Sequence, residues 1–494
     1  MTRGALLVLV VLLLGVGCSV GPDYVTPSME TPATYKEIEG WTVAAPQDGE
    51  ARGPWWTAFG DAELDALVSS VRVSNQNVAV AEAQFRQARA LVGEARSAYF
   101  PQIGISAGLS GFGGRAGGTS TTSGSAAVTP GARTTSSAGV SVGSSFFLSV
   151  DVSWEPDLWG RVRRTVEGAR ASAQASAADL VNVQLSLQAE LVADYFQART
   201  LDAQKRLLDE TVAGYRRSLE LTRNRYAAGV ASRADVAQAE TQLASTQAQA
   251  TDVGVQRAQL EHAIATLMGR PASSFSLPSE PLAALPPPVP VGVPSELLQR
   301  RPDIAGTERR VAAANAQIGV AKAAYFPTLT LGGSAGLASS DIGTWFSWPS
   351  RFWAVGPSVS ETIFDGGLRH ARSDEARAAF EAAVATYRQS VLGAFQEVED
   401  NIAALRILEQ EALTQEQAVR TAQEALTIVT NQYRAGTTSY LDVITSQTIA
   451  LNNARTAVDI LGRRMAASVV LIKALGGGWN ATDLPSDRDV TQRS

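Results

Sequence analysis

The chain has 494 residues, enough for a large buried core, and 42 Lys plus Arg stand against 48 Asp plus Glu for a formal charge of −6, so no basic surplus marks nucleic acid as a partner. It holds two histidines, His262 and His370, and one cysteine, Cys18. So small a stock of the commonest base and metal ligand argues against an enzyme or a metal site, and no cofactor is expected.

Arg3 precedes the apolar run from Ala5 to Leu14, which is too short for a membrane-spanning helix of about 20 residues but has the length of a secretory signal core. Residues 1–17 are therefore read as a signal peptide. Cys18 follows Gly15 and Gly17 where such a signal is cut, and Leu14-Gly-Val-Gly-Cys18 resembles a bacterial lipobox with Gly15 where that motif usually carries Leu. Lipid is expected on Cys18, and Ser19 resembles an outer-membrane sorting residue. Residues 18–60 then form a lipid-anchored, extended and equatorial segment. No later run of some 18 apolar residues exists, so a mature chain that spans a membrane must use strands.

The rest of the chain is an internal duplication. Ser97-Ala-Tyr-Phe-Pro101 returns as Ala323-Ala-Tyr-Phe-Pro327, and Asn224-Arg-Tyr-Ala-Ala-Gly229 returns as Asn431-Gln-Tyr-Arg-Ala-Gly436. The repeats are expected over 61–284 and 295–475, joined by a stiff Pro-rich linker at 285–294 and followed by a tail at 476–494. In each, a helix (Asp61 to Tyr99; Asp303 to Tyr325) runs into Phe-Pro, where proline ends it. Two strands follow. In the first copy Phe146, Leu148, Val150, Val152 and Trp154 alternate with mostly polar residues, and the second copy repeats the pattern from Leu329 and from Trp353. The tract from Gly113 to Gly143, rich in Gly, Ser and Thr, reads as an exposed loop.

Very long helices come next, from about Gly160 to Tyr226 and from about Gly366 to Tyr433, each ~100 Å at 1.5 Å per residue. Val391, Val398, Leu405, Ala412, Val419, Leu426 and Tyr433 keep a strict heptad, which predicts a coiled-coil-like seam. Gly229 and Gly436 close them, and return helices run from Ser232 to Met268 and from Ser439 to Leu475.

Four strands cannot close a barrel in lipid, because an open sheet edge there leaves backbone groups unpaired, so several chains must pool their strands. Trp345, Phe346, Trp348, Phe352 and Trp353 cluster where an interfacial aromatic girdle would belong. Three Gly-x-Ser-x-Gly matches, beginning at Gly104, Gly139 and Gly332, fall in strands or a Gly/Ser loop rather than at a strand-to-helix elbow.

Gly21-Pro-Asp-Tyr24, Trp55-Trp56 with Phe59 and Leu64, Arg301-Pro-Asp-Ile, Ala312 to Pro327, Phe364-Asp-Gly-Gly367 and Phe395-Gln-Glu-Val-Glu-Asp400 resemble the outer membrane factor family of TolC-like channels. More narrowly they resemble its lipoprotein branch, which serves resistance-nodulation-division efflux pumps. The resemblance implies a mixed α+β membrane protein in the outer membrane. It would be a homotrimer whose 12-stranded β-barrel, four strands per chain, continues into an α-helical coiled-coil barrel in the periplasm. Function would be passive export of small molecules handed over by an inner-membrane pump and a periplasmic adaptor. A type I protein-secretion duct, which shares the fold, is the alternative.

The resemblance also assigns a periplasmic aperture to Tyr433–Asp442. Asp442 falls where related channels face an acid into the pore, and Leu441 resembles a constricting apolar position. Tyr433 and Asp235 resemble a pair that ties helices shut, while Thr438 stands where relatives carry a latch arginine, a part Arg225 or Arg233 could take. Against this, Asp235 and Asp442 each follow a glycine turn and suit a helix cap. Both readings stay open.

Overall fold

The structure, a computed structural model, describes residues 20–37, 54–115, 140–282, 284–289 and 294–491. The signal segment, Cys18, Ser19 and part of the linker lie outside them. Helices α1 (Ala62–Ser74), α2 (Gln76–Ser97), α3 (Arg161–Ala227), α4 (Arg233–Leu267), α5 (Pro302–Ala323), α6 (Leu368–Ala435) and α7 (Tyr440–Ala474) and strands β1 (Gln102–Arg115), β2 (Val140–Trp154), β3 (Thr328–Ser339) and β4 (Arg351–Ser360) alternate as the duplication requires. None of the described helices is long and apolar enough to cross a membrane.

Two expectations shift locally. The first helix is not continuous, because Asn75 takes an extended conformation, gives its Nδ2 to the Leu267 carbonyl at 2.7 Å and caps α2 by accepting from Asn77 N at 2.8 Å. The Gly/Ser tract is also shorter than its composition suggests. Its first and last residues join the β1–β2 ladder, with Arg115 opposite Val140, since ladder hydrogen bonds use backbone groups that Gly and Ser carry as well as Val does. Residues 116–139 lie outside the described chain.

The chain forms two compact units that cut across the repeats. One gathers Leu91–Gly168 and Asn315–Ala378 with the residues up to Tyr24, and the other Val25–Ala90, Ala169–Ala314 and Ala379–Ser494. In the first, the strands make one antiparallel sheet in the order β1-β2-β3-β4, with Ile103 opposite Val152, Val150 opposite Ala335 and Leu329 opposite Val359. Among the described residues, the outer edges of β1 and β4 have no partner strand. Their apolar side chains are bare as well, with Ile103 73% and Trp353 78% exposed. Trp345 packs on Phe146 and Phe346 at ring separations of 5.7 and 4.7 Å, while Trp348 and Trp353 remain exposed.

Arg164, almost fully buried, pins the segment after Cys18 in the same unit. It pairs with Asp23 at 2.8 Å and donates to the carbonyls of Val20 and Gly21, while Asn315 donates to the Pro22 carbonyl at 3.0 Å. Gly21, at φ +108°, sits against Gly319, where a Cβ would meet backbone at 2.5 Å. The glycine of Gly21-Pro-Asp-Tyr24 is thus a packing requirement.

The second unit has a core of Trp55, Leu64, Val68, Tyr195, Ile264 and Met465 and neighbours. A second cluster joins Tyr35 and Leu297 to the seam residues Val398 and Leu405. The heptad from Val391 is inward-facing, with Val391, Val398 and Tyr433 buried. The motifs around Arg301 and Phe395 meet here. Arg301 grips Asp303 with two bonds of 3.1 and 2.8 Å and reaches Glu397 at 2.7 Å and the Ala474 carbonyl at 3.0 Å, while Glu399 accepts the N–H groups of Lys36 and Glu37.

Candidate functional site

The two turns that close the long helices have the same build. Gly229 (φ 73°) and Gly436 (φ 80°) take the left-handed conformation that ends α3 and α6, and each is followed by a Ser-x-x-Asp capping box. In the first, Ser232 N donates to Asp235 Oδ2 at 2.8 Å and Asp235 N to Ser232 Oγ at 3.1 Å. In the second, Ser439 N donates to Asp442 Oδ2 at 3.2 Å. Asp235 and Asp442 are therefore both helix caps.

Asp442 receives more than a cap requires. Thr438 Oγ1 and Ser439 Oγ each donate to its Oδ2 at 2.7 Å, and these bonds hold its carboxyl below the usual aspartate range. Thr438, at the position where the resemblance places a latch arginine, thus anchors the carboxylate. Asp442 and Leu441 (59% exposed) face away from the chain, whereas Tyr440 and Val443 on either side are buried. A carboxylate and an apolar side chain are left on the open face of the first turn of α7.

Beneath them Leu219, Val236, Ala239, Tyr433, Tyr440 and Val443 form a small core. The Tyr433 and Tyr440 rings lie 5.3 Å apart. Tyr433 and Asp235 are not brought together: the Tyr433 hydroxyl donates to Thr222 Oγ1 at 3.4 Å, while Asp235 stays in its own cap. Arg225 does the tying. It donates to the Tyr433 and Arg434 carbonyls at 2.8 and 3.3 Å, capping the C-terminus of α6, and its guanidinium stands 4.6 Å over the Tyr433 ring. Arg233 instead approaches Glu240 at 3.9 Å.

Tyr440 and Thr222 belong to no motif singled out in the sequence. The repeat offset held the signal, because position 440 of the second copy answers Arg233 of the first, so an aromatic there breaks the symmetry. Burial pushes the Tyr440 hydroxyl above its ordinary pKa. The histidines form no centre. His370 pairs with Asp374 at 2.7 Å on an exposed helix face, and no metal-ligand cluster occurs among the described residues.

Residues 67–270 and 293–477 match the model of a family described as outer membrane efflux protein. The chain is 31% identical to the pyoverdine export outer membrane protein OpmQ of Pseudomonas aeruginosa over 95% of its own length and 96% of the relative's. It is likewise 31% identical to the toluene efflux pump outer membrane protein TtgC of Pseudomonas putida, over 97% of this chain and 96% of that one. Among solved structures, the outer-membrane channel OprN superposes with a TM-score of 0.82 at 30% identity, covering 94% of this chain and all of OprN.

Proposed function

The chain belongs to the outer membrane efflux protein family and is an outer-membrane efflux channel, and from that premise we propose that it works as a passive duct without catalytic function. Its partners would be two further copies of itself, a periplasmic adaptor and an inner-membrane resistance-nodulation-division pump. The observation that carries this reading is the four-stranded sheet with bare apolar side chains on two unpaired outer strands. In lipid, β1 of one copy must pair with β4 of the next, and three copies give twelve strands and no edge. Native mass spectrometry in detergent should find a trimer, and planar bilayers should show discrete conductance steps. A monomer without conductance would overturn the reading.

Cargo would be chosen upstream. The relatives' names specify pyoverdine and toluene, compounds too unlike to share one binding site, which suits a duct that does not select. In this reading the helix-closing turns form the periplasmic aperture, with three copies of Leu441 and Asp442 around the axis.

Arg225 then holds the aperture shut, because it fixes the end of α6 from α3. Replacing Arg225 with alanine removes two bonds to carbonyls and the stacked guanidinium, at a cost of about 2 kcal/mol. Tyr433→Phe loses only a long hydroxyl bond to Thr222. Single-channel recording should therefore show Arg225→Ala raising resting conductance more than Tyr433→Phe. The reverse order would assign the tie to the hydroxyl.

Lipid on Cys18 completes the reading. Cys18→Ser is expected to impair processing and sorting and to leave the fold intact, because a strand barrel anchors the protein independently of an acyl chain. Intact mass of the mature wild-type protein checks it, and a chain beginning at residue 18 with no added acyl mass would end the claim.

A further inference from the structure

Beside the Tyr433 cluster, α3, α6 and α7 leave a crevice of about 490 Å³ that the duct reading does not use. On α3 its wall is Leu207, Thr211, Gly214, Ser218 and Leu221, spaced alternately by four and three residues along one helix face. At 1.5 Å per residue this stripe runs for ~20 Å. Leu426 faces it from α6, and Val443 and Leu451 from α7. The trough is long and mainly apolar, with the hydroxyls of Thr211, Ser218 and Thr430 and the Gln423 amide interspersed along it.

Its charge is one-sided. Arg217 and Arg434 stand exposed at its rim, and among the described residues no Asp or Glu lines it. Arg434 donates to the neutral Asn431 side chain at 3.3 Å, and neither arginine has an ion-pair partner among the described residues. The other ionisable lining groups are the phenols of Tyr215 and Tyr433. Gln447, 8% exposed, also lines the crevice with its Oε1 buried and unbonded, a state that costs free energy until a polar ligand or water meets the amide. Half a turn of that amide presents its N–H donors instead. The duplication does not impose this arrangement, since the offset that aligns the turns puts Glu424, Ala227 and Glu240 at the positions answering Arg217, Arg434 and Gln447.

We propose that this crevice binds a straight-chain amphipathic monoanion, its head at the Arg217 and Arg434 rim and its alkyl tail running toward Leu207. Ten residues of α3 separate Arg217 from Leu207, ~15 Å, which suits an alkyl chain of about ten to twelve carbons. A cationic head would meet two uncompensated arginines, so the site selects by charge as well as by length. The proposal does not depend on the duct reading, because the crevice belongs to one chain.

Photolabelling tests it on the full-length protein in neutral detergent, with a dodecanoate that carries a diazirine in its tail. Label should map to residues 207–221 and 443–451 and be displaced by unmodified dodecanoate. Joint substitution of Arg217→Glu and Arg434→Glu should cut it about tenfold, and the diazirine analogue of dodecylamine should label about tenfold less. Leu426→Trp, which fills the trough and leaves the charges alone, should abolish labelling with helicity unchanged. Equal labelling by the amine, or label that survives charge reversal or maps elsewhere, overturns the proposal.

Discussion

Replacing Arg301 with methionine is expected to cost the folded protein on the order of 3 kcal/mol and to lower its apparent melting temperature by several degrees. Arg301 is nearly buried and pairs with both Asp303 and Glu397. Methionine fills much of the volume but leaves Glu397, itself mostly covered, with only Lys473 at 3.4 Å. The cost is that of a stranded partly buried charge, so salt should change it little. Pairing Arg301→Met with Glu397→Leu should therefore recover part of the loss, a non-additivity that a double-mutant cycle in thermal denaturation reads directly. A single substitution costing under about 1 kcal/mol would mean that the motif Arg301-Pro-Asp serves something other than stability.

Long-range pairs of this kind are the part of the fold that local sequence patterns do not reveal. The Phe-Pro helix stops, the glycine turns, the period-two strands and the heptad from Val391 are local signals, and each comes from backbone sterics or side-chain periodicity within a few residues. They place the long helices within about two residues of α3 and α6. Asn75 is invisible to them, because its break depends on the Leu267 carbonyl 192 residues away. The extent of β1 and β2 is hidden too, since Gly and Ser carry no periodic signal although they ladder as well as other residues.

At the candidate site the same division holds. The glycine turns before Asp235 and Asp442 suit helix caps in the sequence, and the structure puts each aspartate in a capping box whose N-cap is Ser232 or Ser439. Which residue ties α3 to α6 cannot be read this way. Arg225 and Gln432 occupy answering positions in the two repeats, and only the packing of one helix end beside the other decides that Arg225 reaches across. A near-symmetric sequence thus yields an asymmetric clamp, in which the second turn is held from the first and the first has no counterpart of Tyr440.

Asp442→Asn is expected to remove most of the cation preference and divalent block of the resting channel while leaving assembly intact, given that Asp442 lines the aperture. Its charge state at a given pH depends on two opposed effects. Carboxylates gathered around one axis repel one another, which raises each pKa. Opposing this, Thr438 and Ser439 hydroxyls at 2.7 Å and the Ser439 N–H all donate to one carboxylate oxygen and lower it. These donors act within each chain whatever the spacing of the copies, contrary to the rise that a carboxylate ring alone would produce. An aspartate depressed in this way keeps its stabilising bonds above the ordinary aspartate range and loses them as pH falls through its own lower pKa. Cation preference should therefore persist through the ordinary aspartate range and fade only below it. Reversal potentials in asymmetric KCl from about pH 7 to about pH 3, a range that brackets the aspartate titration, test this. Preference already fading above the ordinary aspartate range would mean that repulsion among the three carboxylates overrides the Thr438 and Ser439 bonds, and an Asn variant with unchanged selectivity and divalent block would leave Asp442 a helix cap alone.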